Sequence, residues 1–380
     1  MPFSNLSIAS KKIIVTRLIC LFWLVAKIIS WKLWLADRLF PVVPPFRFLF
    51  LPQAIHLVLF IFSLLTLSVL LIFPLSRVLQ VSLIIIEAFS CLLDQNRWQP
   101  WEYQYTFIIL ALVINYKNEK NATSVIAFIL ASVYFFSGIG KMNPVFSLYL
   151  RNKMVLSGLH VSSSTVNEWI IYHTGYFLGI IEILLSIGLF FPRIKKVSAL
   201  FLIIMHLVIL AALGPFGINR DRIVWPWNVA MILTLYVFFL RNSPVSLSLQ
   251  SVRPGWNKVI LIFLGILPVL NFFGYWDFFL SSSLFSSKAP LMFICIHKQG
   301  SSSVLQPFFT PGKNKFACDS NSVLLDVTEW SHSEMHVPVY PEIRIYKSIR
   351  EQLLKRYPDM DASFTVYPYL EGKKIRIELR

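Results

Sequence analysis

The feature that most constrains this chain is a succession of apolar runs, each near the length that crosses a lipid bilayer. A spanning helix needs roughly 17–25 mainly apolar residues. Such runs are predicted at about 13–31, 52–73, 75–92, 103–116, 122–140, 174–192, 197–214, 223–240 and 258–279. They predict an all-α polytopic membrane helix bundle of about nine transmembrane helices over residues 1–280. Residues 281–380 return to ordinary polarity and predict a small soluble α+β C-terminal domain. Composition agrees, with 56% hydrophobic and 14% charged residues, against about a quarter charged in a soluble domain. The first run contains Lys27 and either spans or lies flat at the interface, and the fourth is short. With Lys11, Lys12 and Arg17 ahead of it and no small-residue cleavage site after it, the first run reads as an uncleaved segment.

Charge gives a topology. Residues 1–280 carry 22 Lys/Arg against 9 Asp/Glu, and residues 281–380 carry 13 against 10. The positive excess therefore lies in short loops between apolar runs, where it orients a membrane protein, rather than on a soluble face that would hold nucleic acid. Counted at alternate ends of the runs, twelve cations against nine place the N-terminus in the cytoplasm and the tail on the outer side of a cell membrane. The unusual loops, Trp34–Pro45, Asp94–Gln104, Gly138–Pro144 and Gly214–Asn228, follow the first, third, fifth and seventh runs. That alternation predicts one polar face shared with the tail.

In the tail, Leu291–His297 reads as a strand and Pro341–Arg356 as an amphipathic helix, while Phe364–Tyr369 and Lys374–Leu379 flank Glu371-Gly372 as a hairpin. Cys295 and Cys318 pair if the tail faces an oxidising compartment and stay thiols if it does not. The four cysteines form no CxxC pair, which argues against a zinc ribbon or thioredoxin-like site. His332, Glu334 and His336 form HxExH, which differs from the HExxH of zinc peptidases. No metal site is predicted.

Two readings of Asp94-Gln95-Asn96-Arg97-Trp98-Gln99-Pro100-Trp101-Glu102-Tyr103-Gln104 stand side by side. As an interfacial belt, Trp98, Trp101, Tyr103 and Tyr105 lie at headgroup depth and Asp94 pairs locally with Arg97. As the rim of a cleft, Asp94, Arg97, Trp98 and Trp101 bind a polar or amphipathic ligand. In Tyr134-Phe135-Phe136-Ser137-Gly138-Ile139-Gly140-Lys141-Met142-Asn143-Pro144, the glycines admit a close backbone and Asn143-Pro144 ends the helix. Lys141 either complements the helix dipole or points into the bundle as a general base. Glu87, Glu182, His173 and His206 are intramembrane ionisable groups, which rarely face lipid. Beyond Gly217-Ile218-Asn219-Arg220-Asp221-Arg222, the segment Trp225-Pro226-Trp227-Asn228 starts a span, and Asn228 wants a polar partner. Asn143, Arg222 and Asn228 complete the candidate binding residues.

The string from Tyr134 to Asn143 resembles that of the horizontally transferred transmembrane domain family, in a bacterial branch, and is distantly similar to vitamin K-dependent gamma-carboxylase. It is also similar to DoxX-like membrane proteins linked to quinone or thiol redox. The resemblance covers about residues 75–240 and rests mainly on this motif. It implies a quinone-like lipid as cofactor or ligand and Lys141 as the base that deprotonates it. Gly140 stands where the carboxylase has a second lysine, and Asn143 where it has an acid, so peptide carboxylation is not implied. The alternative is a non-catalytic scaffold, maturation or export factor with a membrane or exported protein partner. A transporter ranks third, because no matching pair of broken helices marks an inverted repeat.

Overall fold

The computed structural model describes residues 8–219, 221–241, 245, 247–283, 286, 288–297, 300–310, 318, 322–370, 373–374 and 377–379. The chain is mostly helical. Its helices are α1 (Ile8–Ile29), α2 (Gln53–Ile72), α3 (Arg77–Leu93), α4 (Pro100–Ile114), α5 (Glu119–Lys141), α6 (Pro144–Tyr149), α7 (Glu168–Gly188), α8 (Lys195–Leu213), α9 (Val224–Leu235), α10 (Asn257–Leu261), α11 (Val327–Met335) and α12 (Ile343–Arg356). Wider π turns extend α6 over Leu150–Gly158, α9 over Tyr236–Leu240 and α10 over Ile262–Ile266, the last running on as a 3-10 helix, Leu267–Phe273.

Among the described residues, four helices are long and apolar enough to cross a membrane: Gln53–Ile72, Glu119–Lys141, Trp169–Gly188 and Lys195–Leu213. The nine runs expected from sequence are thus matched by four long apolar helices and several shorter ones. Val224–Leu240 and Asn257–Phe273 are apolar but shorter. α4 has 15 residues and is buried on nearly every side, as a core helix would be. At about 1.5 Å per residue it falls short of a hydrocarbon layer about 30 Å thick. α1 is 22 residues long but carries Lys11, Lys12, Arg17 and Lys27.

The helices also divide by what they expose. α5 is buried along most of its length. By contrast, α2 exposes Ile55, Val58, Phe62, Leu65 and Ile72, α7 exposes Phe177 and Leu184, and α8 exposes Leu200, Phe201 and Leu207. Apolar faces of that extent are rare on water-soluble monomers and suit lipid contact.

Two compact units form, neither contiguous in sequence. The first comprises Met1–Ile29, Ile61–Ala88 and Gln99–Ser287, and the second Ser30–Phe60, Phe89–Trp98 and Lys288–Arg380. The second unit therefore takes in Trp34–Pro45 and the Asp94–Trp98 part of Asp94–Gln104 as well as the tail.

In the tail, strands β1 (Leu291–Ile296), β2 (Val323–Asp326), β3 (Ala362–Tyr367) and β6 (Ile377–Glu378) make an antiparallel sheet in the order β2-β1-β3-β6, while β4 (Tyr369–Leu370) pairs with β5 (Lys373–Lys374). Ile294 faces Leu325 on one side and Phe364 on the other. The expected strand, helix and hairpin arms are present, and the hairpin's Glu371-Gly372 lies outside the described residues. α12 buries Ile345, Tyr346, Ile349 and Leu353, one helical face. Cys295 and Cys318 form a disulfide. His332, Glu334 and His336 lie on α11 and at its end, not on a strand. Asp326 caps α11 through the amides of Thr328 and Glu329, so this stretch is helical, and His336 ends it in the left-handed region at φ 60°.

Candidate functional site

In the first unit α5 and α7 meet backbone to backbone. A Cβ on Gly138 would stand 2.7 Å from the carbonyl oxygen of Gly179, and one on Gly179 would stand 2.7 Å from that of Gly138. Small residues permit such approaches between apolar helices. Lys141 and Glu182 each lie three residues beyond their glycine, and residues three apart share a helix face. The Lys141 ammonium donates to the Glu182 carboxylate and, at 2.6 Å, to the Ser137 hydroxyl one turn back. Both charged side chains are buried.

A second polar group lies alongside. The Tyr134 hydroxyl is 2.7 Å from His206 Nε2, and His206 Nδ1 is 2.5 Å from Asn228 Oδ1. The Asn228 amide donates to the Val224 carbonyl oxygen at 2.6 Å, and the Trp227 indole N–H donates to Gln104 Oε1 at 2.8 Å. Between the two groups is a cavity of about 40 Å³ lined by Tyr134, Ser137, Lys141, Glu182, His206 and Asn228. That is room for water, which needs about 10–15 Å³ and two to four polar partners.

A larger cavity of about 280 Å³ shares Lys141 and Glu182 but is otherwise apolar, lined by Phe146, Leu150, Met154, Leu178, Phe201 and Ile204 among others. Phe201 and Ile204 are also among the exposed apolar residues of α8, and Leu178 of α7. The ion pair is therefore a polar wall between a small space with polar lining and a larger one with apolar lining. Chemically it offers ammonium donors and a carboxylate to one polar atom of a ligand whose remainder is apolar.

The other sequence candidates fall elsewhere. Asn143 caps α6 through the Phe146 amide at 2.9 Å, and its own amide donates to Gly140 and Ser286 carbonyl oxygens at 2.7 and 2.9 Å. Trp101 is buried edge-on to Tyr105, and Arg222 is exposed on the turn before α9.

Asp94, Arg97 and Trp98 belong to the second unit. The local pairing expected between Asp94 and Arg97 is corrected: Asp94 pairs with Arg38, and its other oxygen accepts the Val43 and Asn96 amides at 3.2 and 3.1 Å. Arg97 donates to the carbonyl oxygens of Leu33, Trp34 and Ser90 at 3.1, 2.8 and 2.9 Å, and lies 2.7 Å from His56 Nδ1. The Trp98 indole donates to the Cys91 carbonyl oxygen at 2.8 Å. In the same unit Glu334 accepts the Leu39 and Phe40 amides at 2.7 and 2.9 Å, and the Trp330 indole at 2.9 Å.

Tyr134 and Ser137 share a sequence string with Lys141, whereas Glu182 lies 41 residues away. The signal that joins Glu182 is a repeated spacing, Gly138-x-x-Lys141 and Gly179-x-x-Glu182. No protein-family model, no curated protein and no solved structure matches this chain.

Proposed function

We propose that this chain is an integral membrane protein of the gamma-carboxylase-like, horizontally transferred transmembrane type, which binds a quinone-like lipid with Lys141 as its base. In this reading the shorter apolar helices complete a bundle of about nine spans, and the tail lies on the outer side of a cell membrane. The observation that carries the proposal is the Lys141–Glu182 pair, set where an apolar cavity meets a polar one.

The fit to such a ligand is physical. A volume of about 280 Å³ compares with roughly 300–1,000 Å³ for small-molecule sites, enough for a ring headgroup. Leu178, Phe201 and Ile204 leave its outer side apolar, so a hydrocarbon tail has a path toward lipid. A reduced quinone would supply an acidic phenolic hydroxyl. Lys141 acts on that proton as one half of a pair: with the pair's own proton on Glu182, the amine presents a lone pair and the site keeps zero net charge. The smaller cavity, which has room for a water molecule, lies between the pair and Tyr134 and His206.

The second reading, a non-catalytic scaffold or export factor, draws support from the second unit, whose polar loops are consumed by their own backbone. Mass spectrometry of lipids that co-purify with the intact protein separates the two. A stoichiometric quinone, with quinone-dependent turnover lost in Lys141→Ala and Lys141→Arg variants that still insert, supports the first. Full turnover in Lys141→Ala sinks it. A protein partner crosslinked through residues 330–345, with no bound lipid, supports the second.

A further inference from the structure

Away from Lys141, the first unit buries three more ionisable side chains against one another. Lys27 comes from α1, Glu87 from α3 and Glu102 from α4, and all three are at most 2% exposed. The Lys27 ammonium donates to Glu87 Oε2 at 2.7 Å and stands 4.0 Å from Glu102 Oε2. The Ser63 hydroxyl, from α2, donates to Glu87 Oε1. The Trp23 indole donates to Glu102 Oε2 at 2.6 Å. The Glu102 carboxyl also meets that of Glu87, and Tyr105 is the further titratable group beside it.

Two observations point to something these atoms must hold. The first is charge: one cation faces two carboxyls where no water reaches, and an uncompensated buried carboxylate is strongly unfavourable. The second is a vacancy in bonding. Glu102 Oε1 is fully buried and has no hydrogen-bond partner among the described residues, although buried polar atoms nearly always have one. Two carboxyls in contact relieve both problems by sharing a proton, as paired carboxyl groups elsewhere do. A metal ion would not: the Lys27 charge opposes it, and hard cations want about six or more oxygen ligands, more than Glu87, Glu102 and Ser63 provide.

We infer that Lys27, Glu87 and Glu102 form a buried proton-binding site, in which one exchangeable proton is carried on Glu102 against Glu87. The site shares no residue with the Lys141 group, so it stands or falls independently of the ligand proposed there. The cluster is neutral as a whole: the ammonium balances one carboxylate and the proton neutralises the other. Its ligand is the hydron itself.

Infrared spectroscopy of the full-length protein in lipid vesicles near neutral pH tests this, reading the carbonyl stretch of protonated carboxyl groups and its downshift in heavy water. Glu102→Gln should lose the intensity of one protonated carboxyl. Glu87→Gln should lose the same intensity, because Lys27 then balances the one remaining carboxylate. Lys27→Met should gain one, since both carboxyls must then be neutral. Should a glutamine variant not fold, the Lys27→Met spectrum decides. A band unchanged in Glu102→Gln, or a Lys27→Met spectrum identical to wild type, overturns the site.

Discussion

Both units bury charge, and they use it differently. In the second, Arg38, Asp94, Arg97 and Glu334 bond mainly to backbone. Arg38 reaches the carbonyl oxygens of Leu33 and Phe40 at 2.6 and 3.0 Å, Arg97 reaches three more, and Glu334 holds two amides. In the first, Lys141 with Glu182, His206 with Tyr134 and Asn228, and Lys27 with Glu87 bond mainly to side chains, and the first two groups border cavities. A buried ion is thus no sign of function by itself. A guanidinium wrapped in carbonyl oxygens fixes the path of a loop. A lysine–carboxylate pair with a cavity on each side has somewhere to put a ligand.

Removing a backbone-bonded charge should therefore be the most damaging change. Asp94→Ala strips the Arg38 charge of its carboxylate and removes the side-chain oxygen that the Val43 and Asn96 amides donate to. Breaking a buried pair from one side costs about 3–5 kcal/mol. The expected outcome is loss of the folded second unit, read as protease sensitivity of residues 288–380 in the intact protein. A folded Asp94→Ala protein would erase the distinction drawn between the units. The matching change in the first unit should cost less and act on the site. Gly138→Ala pushes a methyl group to within 2.7 Å of a backbone oxygen, which overpacking places at about 1–3 kcal/mol. The helices must part, so retention of the co-purifying lipid should fall while the tail stays protease-resistant. Unaltered lipid retention would mean that the Gly138–Gly179 approach does not set Lys141 opposite Glu182.

The sequence made the elements legible better than their partners. Apolar run length located the four long helices, because exposed Phe62 or Phe201 and buried Ile129 look alike to a hydropathy count. Hydropathy marked α4's 15 residues as a short apolar run but did not show that they are buried on nearly every side, because burial by protein and burial by lipid favour the same side chains. In the tail, period and turn chemistry predicted β1, α12 and the β3–β6 hairpin arms. β2 and α11 were missed because their polar residues, Asp326 and Glu334, serve caps and distant amides rather than a repeating face. Lys141 stood out as a lysine at the end of an apolar helix. Its partner at position 182 is 41 residues away, and only the packing of Gly138 on Gly179 brings the two together. Likewise nothing local in Asp94-Gln95-Asn96-Arg97 says that Asp94 turns to Arg38, 56 residues back, rather than to its neighbour.

The smallest effect at neutral pH tests whether the second unit also holds a side chain that matters only when ionised. Tyr346 is fully buried in α12 and donates its hydroxyl to the Pro290 carbonyl oxygen at 2.7 Å. Tyr346→Phe removes one hydrogen bond, about 1 kcal/mol, and should barely change hydrogen exchange of β1 and α12 at pH 7. Alkaline pH makes the residue visible. Burial, with Asp326 and Glu342 nearby, raises the phenol's pKa above its ordinary value. In the unfolded chain the phenol ionises near pH 10, while in the folded tail it stays protonated. The unfolded state therefore binds fewer protons, and stability falls as pH climbs from about 10 toward the folded pKa, by up to about 1.4 kcal/mol per pH unit. The phenylalanine variant has no such proton to lose, so its β1 and α12 amides should exchange more slowly than wild type above pH 10, reversing the order seen at pH 7. Parallel pH profiles for the two proteins would show that Tyr346 reaches water before the tail unfolds, and that this core is looser than the one around Arg97.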